Sequence, residues 1–292
     1  MLKQKVVFII NPISGVFKKG NIAGLIDNYL DKSKFDYTVV YTERPGHATE
    51  ICEGLIKSGV DIVVAVGGDG SINEIAKGLE GTNVKLGVIP AGSGNGLAHH
   101  LGIPVFYKKA IDVLNRNKAI KIDTASINNE LFVSIAGIGF DGLVASKFAK
   151  SKRRGFLAYL KIVTEEYPKY KPKKYKIEVN GKTIKTRALF ITFANSDRFG
   201  YFASVAPSAK MDDGLLDVII AKKPFLVEIP LIAHLLYWRK IEKSKRIEVI
   251  KASELIVKSK KKRWVNIDGE PLKLSKKLYI KIHPHSLNII VP

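Results

Sequence analysis

Gly67-Gly-Asp-Gly-Ser71 sets one carboxylate, Asp69, and one hydroxyl, Ser71, in a turn otherwise built from glycine. Glycine lets a backbone pass close to a ligand, and a helix start offers N–H groups to an anion. A carboxylate in such a turn holds a metal or takes a proton. The combination points to phosphoryl transfer from a nucleotide. That chemistry needs a phosphate cradle, a divalent cation and a group that orients or deprotonates the acceptor hydroxyl. Gly92, Ser93 and Asn95 lie in a second glycine turn that supplies more backbone donors. Asn11, Ser14, Thr42, Ser71, Ser93 and Asn95 add neutral hydrogen bonds. Asp69 also reads as a helix cap. Ser71-Ile-Asn-Glu74 has capping-box spacing, so Glu74 is either a ligand or a structural group.

Other chemistries lack their residues. There is no GxxxxGK[ST] loop, and no GxGxxG opens the first helix, so neither usual nucleotide mode applies. The six histidines include no HExxH, and one cysteine gives neither a disulfide framework nor a structural zinc site. Cys52 shares an apolar helical face with Ala48, Ile51, Leu55 and Ile56 and reads as core. Asp268-Gly-Glu270 and Met211-Asp-Asp-Gly-Leu-Leu-Asp217 read as acidic turns. Gly137-Ile-Gly-Phe-Asp-Gly142 reads as a flexible acidic loop.

These turns need elements to hold them. Apolar runs at Lys5–Ile10, Tyr37–Tyr41, Asp61–Val66 and Lys85–Ile89 alternate with helical stripes. That repeat predicts a parallel sheet covered on both faces, with the special loops at the carboxyl ends of its strands. From about residue 120 the pattern changes to short strands, with hairpin turns at Asn128-Asn129 and Asn180-Gly181. A mainly antiparallel sandwich is expected there, interrupted by helices near 155–167 and 225–238. The two domains are read as 1–120 and 121–292, and the last strand is free to return to the first.

The net charge of +21 is uneven. Residues 1–120 carry +3 and residues 121–292 carry +18. The second part carries a field that attracts anions, either a lipid surface or nucleic acid. Met1-Leu-Lys-Gln-Lys runs straight into a strand, with no signal-peptide pattern and no long apolar span, so the cytosol is expected. Phe225-Leu-Val-Glu-Ile-Pro-Leu-Ile-Ala-His-Leu-Leu-Tyr-Trp238 is apolar on nearly every face. Its ordinary reading is a buried or dimer-facing helix. The alternatives are a cover for an acyl chain or an interfacial helix whose neighbours Arg239 to Arg246 meet headgroups. Lys147–Phe156 is a second basic and aromatic candidate surface.

Taken in order, the loops resemble the diacylglycerol kinase catalytic superfamily, the bacterial lipid kinases in particular, with sphingoid-base and ceramide kinases as relatives. The resemblance rests on Asn11-Pro-Ile-Ser-Gly15, Thr42 with Gly46-His-Ala48, Gly67–Ser71 with Asn73-Glu74, and Pro90–Asn95. It continues through Gly137–Asp141, Pro207–Asp217 and Asp268–Glu270, almost the whole chain. It implies an NAD kinase/phosphofructokinase-like nucleotide-binding domain followed by a β-sandwich, with ATP and Mg²⁺ as cofactors. Asn11, Ser14, Thr42, Gly67, Gly68, Gly70, Ser71, Glu74, Gly92, Ser93 and Asn95 would then serve the nucleotide. Glu270 would match the base of bacterial diacylglycerol kinases and Asp69 the base proposed in sphingosine kinases; the preferred assignment has Glu270 as base and Asp69 at the catalytic magnesium. Lys210, Asp213 and Leu215 would match a structural magnesium loop. Two departures stand out: Ser71 replaces the usual threonine, and Gly96 stands where many diacylglycerol kinases carry aspartate.

The expected activity is transfer of the γ-phosphoryl of ATP to a lipid alcohol in phospholipid metabolism. Diacylglycerol, a sphingoid base and ceramide all present such a hydroxyl. The expected setting is an anionic inner-membrane surface, with homodimerisation open and no nucleic-acid partner. NAD kinase is the rival enzyme, because it shares the Gly-Gly-Asp-Gly turn. The non-enzyme rival is a nucleotide-regulated protein that binds membrane or nucleic acid.

Overall fold

The computed structural model describes residues 2–13, 22–153, 155–199 and 203–292. The chain divides into two compact units, Met1–Ile122 with His285–Pro292, and Asp123–Pro284.

In the first unit strands and helices alternate: β1 (Gln4–Ile10), α1 (Ile22–Tyr29), β2 (Phe35–Tyr41), α2 (His47–Lys57), β3 (Ile62–Gly67), α3 (Asp69–Leu79), β4 (Lys85–Pro90), α4 (Gly96–His100) and α5 (Tyr107–Arg116). Every pairing between β1, β2, β3 and β4 is parallel, in the order β2-β1-β3-β4. β3 is buried at all six positions, as expected for a central strand covered on both faces. Ile72, Ile75, Ala76 and Leu79 of α3 are buried at helical spacing, as the stripe predicts. Cys52 is core, and burial pushes its thiol up to about 12.

β5 (Ala119–Ile127) passes from the first unit into the second, which goes on with β6 (Glu130–Phe132), β7 (Ile135–Gly139), α6 (Phe140–Lys150), α7 (Phe156–Glu166), β8 (Lys173–Val179), β9 (Lys182–Ala188) and β10 (Phe190–Ala194). It continues with β11 (Arg198–Phe199), β12 (Ala203–Ser204), β13 (Leu216–Ala221), α8 (Ile229–Tyr237), β14 (Ile247–Ala252), β15 (Glu254–Ser259), β16 (Arg263–Ile267), β17 (Glu270–Leu274) and the first part of β18 (Lys277–Ile290), whose residues from His285 on belong to the first unit. Two antiparallel layers, β18-β15-β8-β9 and β14-β13-β10-β7-β16-β17, enclose one apolar core. Both predicted hairpins form, with Asn128, Asn180 and Gly181 at positive φ.

Three local readings differ. Residues 137–142 are no flexible loop; they end β7, begin α6 and are buried throughout. Glycine-rich sequence imitates a loop when its real function is close packing. The last two apolar runs, Leu278–Ile282 and Leu287–Val291, each read as a separate strand, form one strand, β18. Its early residues pair antiparallel with β15, and Asn288 and Ile289 pair in parallel with β4. Residues 225–238, read as a buried or dimer-facing helix, form α8 and its approach; no residue of α8 is buried, which sets aside the buried reading alone.

Candidate active site

β1 to β4 run the same way, so the loops that follow them emerge at one sheet edge. Asn11 follows β1. Its Nδ2 donates to Ser71 Oγ at 3.2 Å and its backbone N–H to Val66 O at 3.2 Å. Thr42 follows β2, with its N–H on Ile10 O at 3.0 Å. The Gly67–Ser71 turn joins β3 to α3, and the Ala91–Gly96 turn joins β4 to α4. Ser14 lies outside the described residues.

The two glycine turns touch. A Cβ on Gly92 would collide with Gly68 Cα, and one on Gly68 would lie 3.1 Å from Gly92 Cα. Only glycine permits backbone against backbone here. Asp69 Oδ1 then accepts the Gly96 N–H at 2.8 Å, a bond between the turns. Gly96 thus contributes a backbone donor to Asp69. α3 has Gly68 at its cap position and no side-chain cap, so the first turn presents peptide N–H groups beside Asp69.

Asn95 and Glu74 have visible structural partners. Asn95 is 2% exposed with φ of 52°. Its Oδ1 accepts Gly92 N–H at 2.9 Å and its Nδ2 donates to Gly92 O at 2.8 Å, which fixes the shape of the second turn. Glu74 does not form the capping box that its spacing suggests. Its carboxylate accepts N–H groups of Gly46 at 2.9 Å and Ala48 at 3.3 Å, clasping the start of α2 to α3.

In the second unit Asp268 and Gly269, at φ of 46° and 95°, make the two-residue turn between β16 and β17. The Asp268 carboxylate accepts N–H groups of Val133, Ser134 and Ile135 at 2.7, 2.9 and 2.8 Å. Glu270 opens β17 opposite Ile267 and is exposed. A second tie reaches the same turn. Gly269 N–H donates to Asn266 Oδ1 at 2.9 Å, and Asn266 Nδ2 donates to the Asp141 carboxylate at 3.0 and 3.2 Å. Gly137 makes room, because a Cβ there would collide with Asp141 Oδ2. Burial pushes the Asp141 carboxyl up to about 7, against the pull of the Asn266 hydrogen bond. Asn266 carries no motif signal in sequence; only its register opposite Gly137 brings it to Asp141.

Asp69 is the one carboxylate in its turn, and no group of three or more metal-ligating side chains occurs among the described residues. That donor set fits Mg²⁺, which is commonly held by one or two carboxylates, substrate phosphates and water. The Asp213 loop fits a second metal poorly. Asp213 Oδ1 accepts Leu215 N–H at 3.1 Å, and Lys251 Nζ sits 3.0 Å from Oδ2 and 3.6 Å from Asp217. An ammonium already supplies the charge that a cation on Lys210, Asp213 and Leu215 would bring.

The basic excess has a place. Lys277, Lys258, Lys176 and Lys185 stand directly opposite one another across β18, β15, β8 and β9. Lys174, Lys176, Lys185, Arg187, Lys258 and Lys260 rim an open hollow of about 510 Å³. Glu178 accepts from Lys176 and Lys258, which hold its carboxyl down at about 2. None of the predicted site residues lines this hollow.

Comparison with known proteins finds relatives along the whole chain. Residues 5–127 match the diacylglycerol kinase catalytic domain, and residues 134–291 match the YegS C-terminal NAD kinase beta sandwich-like domain. The chain is 30% identical to a diacylglycerol kinase of Bacillus subtilis (strain 168), covering 100% of this chain and 97% of that one. It is also 30% identical to a diacylglycerol kinase of Staphylococcus aureus (strain JH9), over 92% and 87% of the two chains. A crystal structure of a diacylglycerol kinase from Bacillus anthracis str. Sterne superposes with a TM-score of 0.75 at 22% identity, covering 99% and 97%. No helix among the described residues is long and apolar enough to cross a membrane.

Proposed function

The chain belongs to the diacylglycerol kinase catalytic-domain family and is a kinase, and on that premise we propose that it moves the γ-phosphoryl of ATP, with Mg²⁺, to the hydroxyl of a lipid alcohol of the diacylglycerol class. The observation that carries this reading is the Asp69–Gly96 bond, which joins two glycine turns into one cradle at the carboxyl edge of the sheet. The non-enzyme alternative gives way to family membership. NAD as acceptor is disfavoured by full-length similarity to proteins named for a lipid.

Mg²⁺, when bound, neutralises charge on the phosphoryl oxygens. Asp69 would supply its protein ligand. The first-turn N–H groups of α3 and the Gly92–Asn95 turn take phosphate oxygens, and Asn11, Thr42 and Ser71 add neutral donors. Asp69 is kept at the metal, and the base is Glu270, the residue that the resemblance to bacterial diacylglycerol kinases implies. It takes the proton of the acceptor hydroxyl as its oxygen bonds to the γ-phosphorus and the bond to the β,γ-bridging oxygen breaks, releasing ADP. The surroundings are an anionic membrane face in the cytosol, met peripherally.

The test is transfer of labelled γ-phosphate from ATP to vesicle-borne diacylglycerol, with ceramide, a sphingoid base and NAD in parallel. Mg²⁺-dependent label in the diacylglycerol product is the expected result. Label in ceramide or the sphingoid base alone would move the substrate class, and label in NAD alone would overturn the lipid reading.

A further inference from the structure

Between β13 and β14 the chain makes an excursion, Phe225–Trp238, with the composition of a core and the exposure of a surface. Phe225, Leu226 and Val227 are 67%, 73% and 85% exposed, and Leu231, Tyr237 and Trp238 are each more than half exposed. A contiguous apolar ridge of this kind is unfavourable in water and marks an interaction surface.

The ridge is held in place. At its start Phe225 N–H donates to Glu228 Oε2 at 2.7 Å. The Glu228 carboxylate also accepts Arg246 Nε, and the Arg246 guanidinium lies 4.7 Å from the Phe225 ring centroid. Tyr167 Oη donates to Pro224 O at 2.8 Å. At its end Arg239 donates to the buried Asp197 at 2.6 Å, and Leu236 packs on the cluster around Ile219. Hydrogen bonds and ion pairs fix both ends while the apolar side chains between them stay outside.

We infer that Phe225–Trp238 is the element that inserts into an anionic bilayer surface. The inference rests on the lipid-kinase reading and names the part of the chain that meets the membrane. Charge selects the occupant. Lys222, Lys240, Lys243 and Lys245 are exposed around the ridge, so two copies set ridge to ridge would bring like charges together. An anionic headgroup layer complements them. Tyr237 and Trp238 close the helix side by side, and both residue types settle at the headgroup level of bilayers. α8 has nine residues, about 14 Å of helix, which is long enough to lie in the interface and too short to span it.

Trp238 is the natural probe. The chain has two tryptophans, and the other, Trp264, lies in β16, so Trp264→Phe leaves Trp238 as the single reporter. With vesicles containing phosphatidylglycerol, its emission shifts to the blue and is quenched by shallowly brominated lipid. With neutral vesicles or high salt the response falls. Leu226→Asp and Val227→Asp change exposed side chains and retain the melting temperature. Each weakens partition onto anionic vesicles about tenfold or more. Turnover of a water-dispersed short-chain diacylglycerol is unchanged in both. Partition with a silent Trp238, or a blue shift that follows protein concentration without lipid, overturns the inference. Failure of the lipid-kinase reading itself is seen separately, as no transfer to the short-chain acceptor in the unmodified protein.

Discussion

Asn266 donates through one nitrogen to both oxygens of Asp141 while its own carbonyl oxygen receives Gly269 N–H. A buried carboxyl on α6 is thereby tied to the turn that carries Glu270.

Asp141 should titrate near neutrality. Between about pH 4 and 7 the folded state keeps a proton that the unfolded chain has lost, so stability falls as pH rises through that window and levels off above it. Asp141→Asn is expected to flatten this slope and to gain up to about 2 kcal/mol over wild type at pH 8. Urea unfolding at pH 4.5 and pH 8 measures it; identical slopes for the two proteins would refute the assignment.

Asp69→Asn keeps an oxygen for Gly96 N–H but loses the charge. Transfer activity should fall at least about a hundredfold with the melting temperature within a few degrees of wild type. Retained turnover under saturating Mg²⁺ would remove Asp69 from the metal site.

Glu74 links two helices through backbone N–H groups. Glu74→Ala leaves Gly46 and Ala48 donors without their acceptor and should cost about 1–3 kcal/mol of stability. Glu74→Gln should recover part of it, because an amide oxygen still accepts one bond. A full loss of ATP binding with unchanged stability would instead make Glu74 a nucleotide ligand.

Lys251 offsets the charge of Asp213 and Asp217. Burial raises the Asp217 carboxyl and Lys251 opposes that rise. Lys251→Met should push it further up and cost about 1–2 kcal/mol at pH 7, less at pH 4 where protonation relieves the pair. In an Asp69→Asn background Mg²⁺ should leave the melting temperature unchanged. A clear Mg²⁺-dependent rise would place a metal on the Asp213 loop after all.

Much of this protein is local, and local features can be read from residue order. Apolar runs between helical stripes predict β1 to β4 and their parallel order, because a strand covered on both faces must be apolar throughout. Asn180-Gly181 predicts its hairpin because positive φ is a property of the turn residues themselves. The glycine turns at 67–71 and 92–96 are likewise visible, with Asp69 in the first of them. What only the tertiary structure decided are relations between distant residues. Register alone sets Asn266 across from Gly137 and under Asp141. Packing alone turns Glu74 away from its own helix start toward Gly46. Residues 137–142 look like a loop because glycine serves close packing as well as flexibility. Phe225–Trp238 looks like core because hydropathy records what a side chain avoids, and only the fold decides whether protein covers it. Here Glu228, Arg239 and Arg246 hold that ridge outside.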